Sequence, residues 1–270
     1  VIKRPIIYSF YHQFNGAEGG GTGMSAEADK KLLDVWKSEW HDAGWNPRVL
    51  TIEDAKQHPH FLTLNAMLDG LPFKMYDRLC FIRWLAMANQ PNGGIMVDYD
   101  VFPLNWIRHD LPNGGRLTVH EYSPSGGVPA MISASQSEWF RFAWSLAENA
   151  VQHKQESHWS DMKAMQDLYM ASEKQAYLQS KSVVPGLAVL DGKGFTDETC
   201  ERAAHSMAIH FSHHAVDKGV TPGEKSGPEN RGPLAKEWLE NWRRSCKTLS
   251  AGVAADIGDI TAGLGGFHLP

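Results

Sequence analysis

Three consecutive apolar residues, Ile95, Met96 and Val97, lie between Gly93-Gly94 and the triplet Asp98-Tyr99-Asp100, and they constrain the fold more than any other stretch. Side chains alternate across a strand, so an unbroken apolar run needs apolar cover on both faces. In α/β proteins helices supply that cover. The surrounding pattern agrees. A short β-prone run, Ile6–Tyr11, follows Pro5, and Pro47–Leu50 reads as a second strand. Between them Ser25 can cap a helix over Ala26–Ala43, with Leu32, Leu33, Trp36 and Trp40 on one side. Thr51 and Asp54 have the spacing of a capping box. Lys74–Asn89 repeats apolar residues at three- and four-residue steps and stops at Pro91–Gly94. Further on, strands are expected at Leu117–Val119, Ala130–Ala134, Leu187–Leu190 and Ser206–Phe211. Helices are expected at Ser137–Val151, Asp161–Lys174 and Leu234–Leu249, the last after an exposed connector at Gly219–Pro233. The fold expected is α/β: a mixed, mostly parallel sheet flanked by helices, with a helical and loop-rich C-terminal part. No linker divides it, so residues 1–270 read as one domain.

Composition removes several function classes. Lys and Arg number 26 against 31 Asp and Glu, a formal charge of −5, which leaves no general excess of positive charge for a nucleic-acid surface. No apolar run approaches the length of a membrane span. The opening VIKRPIIYSF is too short and polar for a signal peptide, which gives a cytoplasmic expectation. Cys80, Cys200 and Cys246 are few and widely spaced, indicating neither a dense disulfide framework nor a cysteine zinc site. Five of residues 16–23 are glycine, yet neither GxxxxGK[ST] nor GxGxxG follows the first strand, and no HExxH occurs.

Asp98 and Asp100 are the strongest chemical signal. On a continuing strand, residues two apart point the same way, so both carboxylates can converge on one hard cation. Magnesium and manganese favour such oxygen ligands and keep positions open for phosphate oxygens. Solvated carboxylates closing a strand would look the same in sequence. His210 ends another expected strand, with His213 and His214 just beyond, and a neutral imidazole can join a metal site. Asp161 falls in the first turn of a helix, where the backbone dipole favours its ionised form; capping the helix and acting as a general base are both open to it. Trp36, Trp40, Trp238 and Trp242 have core spacing, whereas Trp106, Trp139 and Trp159 adjoin loops or helix starts and could stack on sugars. Arg243, Arg244 and Lys247 read as a solvated helix face.

The segment Asp77–Pro103, DRLCFIRWLAMANQPNGGIMVDYDVFP, resembles the donor-binding core of GT-A-fold glycosyltransferases with a DxD sugar-binding region, similar to the initiating mannosyltransferase and capsular-polysaccharide transferase families. Gly93, Gly94, Asp98, Asp100 and Val101 carry it. The resemblance implies a nucleoside-diphosphate sugar donor, UDP- or GDP-linked, a Mn2+ or Mg2+ ion on its diphosphate, and transfer to a hydroxyl of a glycan or other acceptor. It makes Ser9, Phe10 and Tyr11 candidates for the nucleotide base, and Asp77, Arg83, Gly94 and Asp98 for the donor. Asp77 to Arg83 is six residues where the family has three, so Arg78 is a rival to Arg83. His158–Asp161 resembles the segment opening a helix beneath the acceptor, which makes Asp161 the catalytic candidate. AIHFSHHAV resembles an Ala-x-His element that supplies a late metal or phosphate contact, which makes His210 a metal candidate beside Asp98 and Asp100, although Ala215 and Val216 stand where Ser-Trp is usual. Donor binding is then expected mainly in residues 1–134, and the acceptor side and closure in 135–270. Two alternatives stay open: a haloacid-dehalogenase-like phosphatase with Asp98 as nucleophile, Asp100 as acid/base and a late carboxylate from Asp259, and a non-catalytic carbohydrate-binding protein.

Overall fold

The computed structural model describes residues 4–14, 23–105, 111–188, 195–213, 215–216 and 227–246. Among these the chain forms a mixed α/β fold with two sheets flanked by helices. Strands β1 (Ile6–Phe10), β2 (Asn46–Leu50), β3 (Gly94–Val97), β5 (Thr118–Glu121), β6 (Val128–Ala134) and β7 (Leu178–Gln179) make a six-stranded sheet in the order β2-β1-β3-β6-β5-β7. The pairs β1/β2, β1/β3 and β5/β7 are parallel, and β3/β6 and β5/β6 antiparallel. Strands β4 (Val101–Pro103), β8 (Val183–Pro185) and β9 (Ala208–His210) form a second sheet, β4-β9-β8, so the single sheet expected from sequence is in fact two.

Alternation along the large sheet divides the core in two. Ile7, Ile95, Val97 and Met131 face one cluster with Trp36, Trp40, Trp238 and Trp242. Tyr8, Met96 and Ile132 face the other, with Trp84, Leu85, Trp139 and Phe142. This is the double cover that the apolar run at residues 95–97 demanded. Helix α1 (Ala26–Asp42) and the C-terminal helix (Arg231–Ser245) lie on the first face, and α4 (Met75–Ala88) and α5 (Gln136–Gln152) on the second. The expected caps form: Ser25 accepts from the Ala28 amide, and Thr51 and Asp54 close a reciprocal box on α2 (Ile52–Lys56).

Several boundaries differ from the sequence reading. A strand forms at Val183–Pro185, where the β-branched Val183-Val184 pair is a good strand former, and Gly186–Ala188 turns as a 3-10 helix; the rest of the strand expected at Leu187–Leu190 lies outside the described residues. Two short helices went unread, α3 (Phe61–Asp69) and α7 (Asp197–Ala204); α6 (Asp161–Ala171) stops a turn early. The C-terminal helix begins at Arg231, with Pro233 inside its first turn, where a missing N–H costs nothing. Cys200 and Cys246 form a disulfide with Cα atoms 5.4 Å apart, leaving Cys80 free. No helix among the described residues is long and apolar enough to cross a membrane.

Candidate metal and ligand cleft

Strands β1 and β3 run parallel, and the chain leaves their carboxyl ends at Phe10-Tyr11 and Asp98. Open α/β sheets bind ligands beyond such ends. A cleft of about 520 Å³ opens there, walled by Phe10, Tyr11, Phe14, Tyr76 and Tyr99 and floored by charged groups. Asp98 and Asp100 converge as expected, but by another route. Asp98–Val101 is a turn closed by the Val101 amide on the Asp98 carbonyl at 2.9 Å, not a continuing strand. Its backbone is pinned on both sides, by the Asp98 amide on Ala130 O and the Phe211 amide on Asp100 O, each 2.8 Å. Since β4 pairs with β9, the same turn brings His210 beside Asp100.

One ligand atom each from Asp98, Asp100 and His210 lies within 4.8 Å of the other two. Each residue is also held from outside. Arg83 Nη1 donates to Asp98 Oδ1, Arg231 Nη1 to Asp100 Oδ2 at 2.9 Å, and His210 Nδ1 pairs with Glu121 Oε2 at 2.6 Å. What remains is Asp98 Oδ2, the buried Asp100 Oδ1, which has no hydrogen-bond partner among the described residues, and His210 Nε2, 3.5 Å from Asp100. An outer carboxylate on the far nitrogen is how metal-bound histidines are commonly oriented. Two donors at about 2.1 Å from one ion are at most about 4.2 Å apart, close to the 4.8 Å within which these three atoms lie.

Charge counting agrees. Asp98, Asp100, Glu121 and Asp161 face Arg83 and Arg231, which leaves a formal −2 with His210 neutral, the charge that one divalent cation cancels. With only protein partners, burial pushes the Asp98 carboxyl up to about 6, Asp100 repelling in the same direction and Arg83 opposing. Burial works the same way on Asp100, but His210 and Arg231 outweigh it and hold its pKa below the ordinary value. Burial disfavours the His210 imidazolium, yet Glu121 and Asp100 more than compensate and raise its pKa well above normal. The donor set of two carboxylates and one imidazole suits a divalent metal ion.

The other candidates divide by position. Phe10, Tyr11, Arg83, Asp98, Asp100 and His210 line the cleft, as does His213; His214, Trp106, Lys247 and Asp259 lie outside the described residues. Arg78 turns away to Asp69 and Asn65, which leaves Arg83 at the site. Ser9 is fully buried inside the sheet and does not reach the cleft. Gly94 sits at the opposite end of β3; at φ 149° a Cβ there would meet the Tyr8 ring at 2.8 Å, so the glycine admits Tyr8 rather than a ligand. Asp77 is buried against His158, 3.0 Å away, and is absent from the cleft wall. Asp161, expected to face an acceptor hydroxyl, is 3% exposed. Its Oδ2 takes Arg83 Nε at 2.9 Å, Arg83 Nη2 at 2.7 Å and Trp84 Nε1 at 2.9 Å. A carboxylate so committed positions Arg83 and is not placed to accept a substrate proton. Trp139 is core, bonded to Gly94 O, and Trp159 stacks on His153.

Five residues of the site were not read from sequence: Phe14, Glu121, Arg231, Tyr76 and Tyr99. Glu121 left one trace, a charge in a β-prone run in phase with Val119. Tyr99 donates to the buried Asp29 at 3.1 Å and meets Tyr11 edge-on.

A family model described as a domain of unknown function, DUF8765, matches residues 1–114. No curated protein matches the chain. Among solved structures it is similar to one titled as a glycosyltransferase involved in the glycosylation of the major capsid of PBCV-1, with 11% identity, a TM-score of 0.43, and coverage of 87% of this chain and 100% of that one.

Proposed function

We propose that this chain is a metal-dependent glycosyltransferase of GT-A-like architecture, moving a sugar from a UDP- or GDP-linked donor to a hydroxyl of a glycan or other acceptor. One observation carries the reading. Asp98, Asp100 and His210 each keep one donor atom for a common centre while Arg83, Arg231 and Glu121 hold the other.

Manganese or magnesium bound there supplies Lewis-acid stabilisation of the diphosphate charge that grows as the sugar–phosphate bond breaks. The chain's own groups do the rest. Asp98, Asp100 and His210 would hold the ion, with Glu121 keeping the His210 Nε2 lone pair turned inward. Phe10, Tyr11, Phe14, Tyr76 and Tyr99 offer flat apolar faces to a base or sugar ring. Asp161 acts through Arg83, as a positioning residue. The acceptor hydroxyl attacks the anomeric carbon directly, the diphosphate departs with the bonding electron pair, and the hydroxyl proton passes to a departing phosphate oxygen. We read residues 1–270 as one domain for this reaction. The Cys200–Cys246 bridge favours an oxidising compartment over the cytoplasm expected from sequence.

The test is a screen of nucleotide-sugars with Mn2+, following release of nucleoside diphosphate and the anomeric product by NMR. Turnover on at least one donor, lost on chelation and in D98N/D100N, is expected. Metal-independent release, or release untouched in the double variant, would overturn the reading.

A further inference from the structure

Arg231 uses only one of its edges. Its side chain is 6% exposed, lines the cleft, and gives Nη1 to Asp100. Nε and Nη2 are buried and have no acceptor among the described residues. In a guanidinium, Nε–H and the adjoining Nη–H run parallel and form the fork that fits two oxygens of a carboxylate or phosphate. That fork is the unpartnered edge. Buried donors without acceptors are costly, and native structures keep few of them.

The neighbouring carboxylates do not fill it. Asp98 answers Arg83, Glu121 answers His210, and Asp100 meets Arg231 through Nη1 alone. Nor can the residue easily move off. Glu229, two positions earlier, takes the Ser25 amide at 2.5 Å and the Ser25 hydroxyl at 2.7 Å. Gly232 packs so closely on α1 that a Cβ would lie 3.1 Å from Leu32 Cα. At the far end of the helix, Cys246 is bridged to Cys200. Arg83 offers no comparable edge, since all three of its nitrogens are engaged by Asp161, Asp98 and Pro129 O.

We infer that the Nε/Nη2 edge of Arg231 is an oxyanion-binding site of the cleft, taking one phosphoryl group of the donor diphosphate, so that the C-terminal helix grips the donor together with the N-terminal strands. The inference rests on the transferase reading. Both atoms are closed off from water, so an entering anion parts the side chains over them.

The test titrates inorganic pyrophosphate into wild-type protein and Arg231→Lys at saturating Mn2+, after Mn2+ affinity has been measured for each without pyrophosphate. Lysine keeps a point charge for Asp100 but lacks the fork. With Mn2+ saturating in each protein, pyrophosphate affinity is expected to fall about 10- to 100-fold in R231K, the loss of one or two charge-assisted hydrogen bonds. Arg231→Ala supplies a second readout, in which guanidinium ion at sub-denaturing concentration should restore part of the pyrophosphate binding. Equal pyrophosphate affinity in wild type and R231K would overturn the inference and leave the transferase reading standing. Mn2+ binding with no affinity for pyrophosphate or any nucleoside diphosphate in wild type would overturn both.

Discussion

The two arginines of the cleft face the two carboxylates of one turn, yet they are built differently. Arg83 comes from α4, 15 residues before its partner Asp98, and every nitrogen of its guanidinium has an acceptor. Arg231 comes from the C-terminal helix, 131 residues after its partner Asp100, and two of its three nitrogens have none among the described residues. The carboxylates differ to match. Asp98 is 34% exposed and Asp100 12%. A saturated guanidinium is a fixture that holds a ligand atom in place. One with its fork unfilled retains binding capacity. The difference separates a structural arm of the site from a receiving arm.

Substitution should expose this asymmetry most strongly in stability. Arg83→Met strands the buried Asp161 carboxylate, and removing one partner of such a pair costs about 3–5 kcal/mol. Arg231→Met removes two unsatisfied donors along with one good bond and leaves Asp100 the His210 ring, so its cost should be on the order of 1 kcal/mol. Urea unfolding of the two variants checks this, and equal losses would break the comparison. Removing the Cys200–Cys246 bridge by a double serine substitution should cost about 2–4 kcal/mol. That loss belongs to the receiving arm: amide exchange should accelerate in the C-terminal helix while α4 keeps its protection.

Smaller effects concern the metal. Glu121→Gln keeps a hydrogen-bonding group at His210 but removes its charge, and Mn2+ affinity should fall about 10- to 100-fold by calorimetry. The pH dependence follows from the folded-state shifts. Asp98 and His210 both hold protons more tightly in the folded chain than in the unfolded one. In chelator, Asp98 therefore takes stability away as pH rises from the ordinary 3.8 through about 6. The His210 contribution is full below its unfolded 6.5 and disappears as pH climbs through its raised folded value. Asp100, held low, is ionised in both states at neutral pH and adds no slope there. A bound cation must displace those same protons, so its stabilisation grows with pH. Thermal unfolding with and without Mn2+ should show opposite slopes between about pH 5 and 8. Parallel slopes would mean that the ion binds elsewhere.

The same asymmetry governs what could be read from the amino acids. The apolar run at 95–97, the α4 repeat and the Asp98/Asp100 pair are local, so α4, β3 and the Arg83 arm were within reach. The route of convergence was not: a turn and a strand alternation write the same Asp-Tyr-Asp. Asp77 and Asp161 were read as facing the cleft because helix position alone does not say which neighbour a carboxylate meets; His158 and Arg83 decide that. Ser9 and Gly94 lie in the right strands, but one is sealed in the sheet and the other makes room for Tyr8. Glu121 and Arg231 reach the site through long-range packing of β5 and the C-terminal helix; the charge in phase with Val119 is the one local trace of Glu121, and nothing within a few residues of Arg231 marks it.

Electron paramagnetic resonance of Mn2+ tests the central claim most directly, because it counts bound ions without requiring a substrate. Titrated into wild-type protein at neutral pH, Mn2+ should fill one site per chain, and nucleoside diphosphate should change the spectrum of that ion; D98N/D100N should leave the manganese free in solution. A wild-type chain that leaves Mn2+ free, or a double variant that binds it as wild type does, would contradict the account.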